Sequence, residues 1–565
     1  MSTDTMPAAA GLLPTHRRIL GTASALLALA LASLDQAIGV ILPRVAAELN
    51  GLSLYAWVGT AYLMSCAIAV PIAGKLGDLV GRKPFLIVGI VGFMGSSGLC
   101  GAAPGMGWLI AARALQGVFA GMLIATVYTV LGDLYRPSER ARIQGVASSV
   151  FGVSSVLGPL AGGFVTDQFG WRWVFYINVP LGLVALAFAL SLPRVQGRTT
   201  WRDLDLLGSA LLAAGLTPLL IGLSAAGTGQ GGPSPTAWLL MGVGAAVLVG
   251  FYVVETRVVA QPLVPFGLFR SNPFTLAIVV AFLATFGMMA AVYFAPLLFQ
   301  GVLGQSLTRS GTLLAPLMLG LIVTSTLTGR LLSRVPRYRY LATAALLALA
   351  VALTILAYTR PGTAGGWATL AMVLVGLGMG VLLPLTTSVV QNAVKRSHLG
   401  VGTSQIQFWR VMSGPVSVAV LGAVLSARLP DAVAARLSTV GLPPGVALPG
   451  GLAEGDPQSA LDPAALERMR ASLPPDRPAL YDQILGTVRL GVADALHTVF
   501  LTAAVIALVA AVASLFLREV PQSDPAPTDP ARTAATPTPT PTPTDPAPAT
   551  DTAAGPREAA AHEGA

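Results

Sequence analysis

Three ionisable side chains stand inside runs that are otherwise apolar: Asp35 in Leu34-Asp35-Gln36-Ala37, Arg113 in Arg113-Ala114-Leu115-Gln116-Gly117, and Arg410 in Gln407-Phe408-Trp409-Arg410. A charge in hydrocarbon is expensive, and where one is kept it usually serves function. A carboxylate such as Asp35 can take up and release a proton. The other use of such a group is a hydrogen bond that packs helices. Arginine stays charged, so Arg113 and Arg410 each need a partner. For Arg113 the plain reading is a fixed ion pair that holds helices together. For Arg410, beside Gln405 and Gln407, the partner could be an anionic group or a counter-carboxylate, and snorkelling or a gate contact is as good a reading.

Other chemistry is poorly supported. Cys66 and Cys100 both lie in apolar runs and read as small core residues. His16, His398 and His497 fall near run ends or in loops, and His562 is in the tail, so no metal cluster is expected. No phosphate-cradling G-x-x-x-x-G-K-[ST] loop is present. Neither an enzyme, a metal nor a bound cofactor is expected.

The elements that must position these residues are membrane helices. The 565 residues are 54% hydrophobic and 10% charged, against about 25% charged in a soluble domain. Apolar runs of about 20 residues suit a ~30 Å hydrocarbon core. Fourteen are expected, near 19–43, 54–74, 84–104, 108–131, 143–166, 174–192, 205–225, 237–255, 272–299, 307–331, 339–358, 367–393, 402–426 and 495–517. The first continues too far, without a small-residue cleavage site, to read as a signal peptide. The net charge of +9 does not point to nucleic acid, because the basic residues are spread over short loops. Every loop on one side carries Lys or Arg, among them Arg17, Lys75, Arg136, Arg194, Arg257, Arg330, Lys395 and Arg518. The short loops of the other side carry only Arg44, Arg172, Arg309 and Arg360. That asymmetry predicts both termini in the cytoplasm, which needs an even span count. By these depths Asp35 lies about eight residues, ~12 Å, from the outer end of its helix, and Arg113 about five residues, ~8 Å, from the outer end of its own. Both fall in the outer half.

Three stretches carry a family likeness. Gly74-Lys75-Leu76-Gly77-Asp78-Leu79-Val80-Gly81-Arg82-Lys83 is a short charged turn between two apolar runs. Gly152-Val153-Ser154-Ser155-Val156-Leu157-Gly158-Pro159-Leu160-Ala161-Gly162-Gly163 places Ser154, Gly158 and Gly162 on one strip, where another helix can come close, with Pro159 able to kink it. Trp171-Arg172-Trp173-Val174-Phe175-Tyr176-Ile177-Asn178-Val179-Pro180 follows. Together with Asp35 and Arg113, these resemble the signatures of the major facilitator superfamily, and within it the fourteen-span drug:proton antiporters. The likeness is strongest over residues 30–185. Where that family commonly has Thr and Asn after the first-helix acid, this chain has Ala37 and either Gly39 or Val40.

The resemblance implies an all-α polytopic fold of two six-helix bundles, 19–192 and 272–518, with two inserted helices in 205–255. A cytoplasmic N-terminus, 1–18, an outer connection, 427–494, and a Pro/Thr-rich disordered tail, 519–565, would complete it. It implies that Asp35 and Arg113 handle the proton. Gly74, Gly77, Asp78, Gly81, Arg82 and Lys83 would govern the conformational cycle. Gly152, Gly158, Pro159, Gly162 and Gly163 would form the strip typical of exporters. Gln116, Met289, Tyr293, Gln405 and Arg410 are candidates for the substrate cavity, although a Met and aromatic stripe such as Met288, Met289, Tyr293 and Phe294 is more often packing. The implied activity is proton-driven export of small hydrophobic or drug-like molecules across the cell membrane by a monomer. An importer of the same fold and a non-transporting sensor are the alternatives.

Overall fold

In the computed structural model the described residues are 15–34, 41–42, 45, 48–49, 55–192, 205–228, 234–259, 262–305, 307–332, 337–363, 365–395, 398–438 and 478–519. Their regular elements are all helical. Lipid offers backbone groups no partner, so an apolar run must close its hydrogen bonds within itself. The order is α1 (Thr15–Leu34), α2 (Tyr55–Val80), α3 (Arg82–Gly101), α4 (Met106–Leu134), α5 (Pro137–Phe169), α6 (Arg172–Tyr176), α7 (Asn178–Leu190), α8 (Leu206–Thr228), α9 (Pro235–Arg257), α10 (Asn272–Met289), α11 (Leu307–Leu331), α12 (Tyr338–Ala357), α13 (Gly365–Ala393), α14 (Leu399–Leu437) and α15 (Pro478–Leu515).

Twelve helical segments among the described residues are long and apolar enough to cross a membrane. Two other elements complete the set of long helices. One is α1, whose apolar part is Arg18–Leu34. The other is α5, which opens on the polar turn Ser138-Glu139-Arg140-Ala141-Arg142. Past Met289, α10 winds through two π-helical turns, Ala290–Phe294 and Leu298–Val302. Such turns widen the helix locally and often mark functional segments.

Among the described residues the helices gather around three apolar clusters, two large ones and a smaller one around Leu109, Trp171 and Phe175. Leu29, Val70, Ile90, Leu123 and Leu131 belong to the N-terminal one, which also takes in Leu212, Leu216 and Phe251 of the α8–α9 hairpin. Leu317, Leu349, Val375, Leu421 and Phe500 belong to the C-terminal one. The hairpin pairs α8 tightly with α9, and α8 also lies against α2 and α14.

The outer connection expected over 427–494 is shorter than that. Helix α14 runs on to Leu437 and α15 starts at Pro478. Both continue past the apolar runs because Leu429, Val433 and Leu437 on one side and Ile484 and Val488 on the other still bury against the C-terminal core. Asp494 then ties the ends together, pairing with Arg360 at 2.8 Å and Arg436 at 2.7 Å. Asp35, Gln36, the terminal segment 1–14, the connection 439–477 and the tail beyond Glu519 lie outside the described residues.

Candidate functional site: two arginines and the junction between the halves

Helix α4 carries Arg113 into the interior of the N-terminal half, where it is 1% exposed. Its guanidinium lies over the Tyr62 ring, 4.2 Å from the centroid, and donates to Gln116 Oε1 at 2.7 Å and to the Val58 carbonyl at 3.4 Å. The network continues: Gln116 Nε2 donates to Ser97 Oγ at 3.2 Å, and Asn178 Nδ2 donates to the same oxygen at 2.9 Å. An enclosed cation requires such a shell, because each unpaired donor would forfeit its hydration. Gln116, named as a cavity candidate, is fully buried and holds Arg113. Helix α4 packs against α1, the helix that leads into Asp35.

Arg410 on α14 is different. It is half-buried and donates to Thr387 Oγ1 at 2.9 Å, Thr386 Oγ1 at 2.5 Å, the Leu383 carbonyl at 2.7 Å and Gln407 Oε1 at 3.5 Å. All four acceptors are neutral. Nearby, Gln405 is 1% exposed with neither amide atom hydrogen-bonded, and Gln407 Nε2 and Trp409 Nε1 are likewise buried without a partner. Met289 is half-buried at the end of α10, and Tyr293, in the π-helical turn beyond it, is 55% exposed.

The ten-residue turn sits where the halves meet. Asp78 accepts from the backbone N–H of Gly400 at 3.1 Å and of Val401 at 2.8 Å, at the first turn of α14. Those N–H groups have no partner within their own helix, and the helix dipole favours a carboxylate there. Arg82 donates to Asp78 at 2.8 Å and pairs with Asp133, so the acid is held from its own half while it caps a helix of the other. Lys83 reaches the carbonyls of Leu190 and Leu192. Gly81 adopts φ +104°, a conformation that a side chain would strain. Gly74 is needed for another reason: a Cβ there would strike the Ser404 side chain of α14. Gly77 has no such constraint, since its Cβ would meet only Arg82 Cγ at 3.9 Å.

A second seam joins α5 to α11. Gly145 and Gly329 let the two backbones touch, with the Ala141 carbonyl 2.7 Å from where a Cβ of Gly329 would stand. Arg140 donates from α5 to the Gln391 carbonyl and to Asn392 Oδ1, both at 3.1 Å, and Gln144 reaches Gln391 Oε1 at 3.2 Å. Gly152 faces Leu321 and Ile322, where a Cβ would come within 2.8 Å and 3.1 Å. Ser154, Gly158 and Gly162 are buried in the same helix, which stays helical through Pro159. Gly163 is half-buried with room for a side chain. Both seams lie at the end of the molecule that carries the basic loops.

A family model described as Major Facilitator Superfamily matches residues 24–418. The chain belongs to this superfamily. It is 33% identical to the multidrug transporter protein MdtP of Bacillus subtilis over 90% of this chain and 94% of that one. It is 30% identical to multidrug resistance protein 3 of the same organism over 87% and 93%. Its fold matches the proton:xylose symporter XylE with a TM-score of 0.58, at 13% identity, over 91% of this chain and 98% of that one. As a superfamily member it is an integral membrane transporter of small molecules and not an enzyme.

Sequence reasoning passed over one buried pair. Asp205 is 8% exposed and caps α8, accepting from Gly208 N–H at 2.7 Å. Glu255, near the end of α9, is 2% exposed and accepts from the N–H groups of Leu263 at 3.2 Å and Val264 at 3.3 Å. The two carboxyl groups crowd one spot: a Cβ on Gly208 would strike both, and Asp205 Oδ2 is buried there with no hydrogen-bond partner. Two buried acceptors in contact need one proton between them. Asp205 just before an apolar run was readable as a cap, and an acid beside Val253 and Val254 as a buried one. Their meeting was not.

Proposed function

We propose that this protein is a proton-coupled exporter of small hydrophobic or drug-like molecules, working by alternating access with both termini in the cytoplasm. This reading takes α1 and α5 as spans beside the twelve apolar segments, fourteen in all. Efflux is favoured over import because two relatives covering most of the chain are named as a multidrug transporter and a multidrug resistance protein.

The observation that carries alternating access is the capping of α14 by Asp78. Charge-assisted bonds between two halves can be broken and remade as units. If the basic-loop end is cytoplasmic, the conformation in hand is closed on the inside. Asp35 is the proposed proton carrier and Arg113 the fixed cation that favours its ionised form. In this scheme protonation of Asp35 and binding of substrate exclude one another, so inward proton flow drives substrate out. Rocking of the halves would then open the α2–α14 and α5–α11 seams.

The test is uptake of a fluorescent drug such as ethidium into inside-out vesicles. A proton gradient directed outward from the lumen should load the vesicles, and its collapse should release the dye. Loading driven by the opposite gradient would establish an importer. No flux under either gradient, with the protein inserted and folded, would favour a sensor.

A further inference from the structure

A cation inside a membrane protein is normally matched by an acid, and among the described residues Arg410 is not. Its partners are two threonine hydroxyls, a carbonyl and an amide oxygen. Among the described residues the ion pairs lie elsewhere. The neighbours of Arg410 on α14, Phe408 and Met412, pack into the N-terminal core. Arg410 therefore sits where the halves face each other, eleven residues, ~16 Å, along α14 from the end that Asp78 caps. Its surroundings also hold donors without acceptors. Gln407, whose Oε1 accepts from Arg410, has a buried Nε2 with no partner, and so does the indole N–H of Trp409. Free donors around an uncompensated cation are the complement of an anion. Beside them lies a surface for rings: Trp409 packs edge-on to Phe282, with centroids 6.0 Å apart, and to Phe408 at 5.4 Å.

We propose that Arg410 receives the anionic group of the transported molecule, a sulfonate or carboxylate on an aromatic body that lies along Trp409 and Phe282. This rests on the reading of the chain as an alternating-access transporter, and it adds amphipathic organic anions to the molecules carried. Leaving one charge uncompensated makes the empty site costly and lets the ligand supply the counter-ion. The guanidinium fork suits an oxyanion with two oxygens in one plane.

The experiment uses two probes that share their ring systems. 8-Anilinonaphthalene-1-sulfonate carries the anion; N-phenyl-1-naphthylamine lacks it. Each is titrated by fluorescence against the full chain in proteoliposomes, with protein-free liposomes subtracted and no gradient imposed. The wild type should bind the sulfonate about tenfold or more tighter than the amine, as a charged hydrogen bond implies. Arg410→Gln should erase that preference while leaving the amine unchanged, and Arg410→Lys should keep part of it. Equal wild-type affinities for the two probes would overturn the proposal, and this comparison stands even if the glutamine variant does not fold. Equal weakening of both probes in a folded Arg410→Gln protein would also overturn it, making Arg410 a strut between α13 and α14. Binding here involves no gradient. Failure of proton coupling would leave the sulfonate preference intact, and loss of the preference would leave gradient-driven ethidium flux intact.

Discussion

The two halves each hold an arginine at depth, and they hold it differently. Arg113 is sealed by Tyr62, Gln116 and the Val58 carbonyl, with a second layer from Ser97 and Asn178. Arg410 has neutral acceptors and part of its surface open. A sealed cation can set the field for a neighbouring group through the whole cycle. An open one can exchange partners. In the proposed scheme the proton belongs to the N-terminal half and the substrate to the C-terminal half, and substitutions in each should separate the two tasks.

The largest effect is expected at Asp35. Asp35→Asn keeps the size and removes the ionisation, so gradient-driven transport should fall to the leak of empty vesicles. Binding of 8-anilinonaphthalene-1-sulfonate should survive, because Arg410 belongs to the other half. Wild-type exchange by this variant would erase the division of labour.

Next come the small residues. Gly74→Leu would force a side chain into Ser404, and Gly158→Leu would load a buried position on α5. Overpacking of about 1–3 kcal/mol amounts to a roughly 5- to 150-fold loss of the closed state. Turnover should drop accordingly while membrane insertion is kept. Gly163→Leu is the control, since no atom lies within 4 Å of a Cβ there. Normal transport by Gly74→Leu would show that α2 and α14 need not meet.

Asp78→Asn should act more gently. The amide retains one acceptor for α14 but loses the charge shared with Arg82. The population should move toward opening on the basic-loop side by roughly 1–3 kcal/mol. Labelling of a reporter cysteine from that side, in a background without Cys66 and Cys100, should rise. Unchanged labelling and turnover would reduce the loop to a topological turn.

The smallest effect is expected at Glu255→Gln. If one proton is shared with Asp205, an amide N–H replaces it, and the thermal midpoint of the purified protein should hardly move at neutral pH. Glu255→Ala strands Asp205 and the Leu263 and Val264 N–H groups, and should cost about 1–3 kcal/mol. Equal losses in the two variants would rule out the shared proton.

What the sequence made legible follows from range. The helices came from runs of adjacent residues. The charged turn came from ten residues in a row, and an intramembrane arginine such as Arg113 had to be enclosed. What could not be read were meetings between distant residues: Asp78 with Gly400 and Val401, Gly74 with Ser404, Arg140 with Gln391, Asp205 with Glu255. The contacts of Gln116 were out of reach for the same reason: its bonds to Arg113 and Ser97 join separate parts of the fold. The lengths of α14 and α15 were underestimated because their outer turns bury against each other and not in lipid.

Coupling itself is tested most directly by watching protons move when only substrate is driven. Proteoliposomes holding a lightly buffered pH dye are loaded with substrate and diluted, with no pH gradient imposed. Antiport predicts that substrate leaving the lumen draws protons in, so the wild type acidifies inside and Asp35→Asn does not. Substrate loss with no change in pH, or with the lumen turning alkaline, would contradict the account.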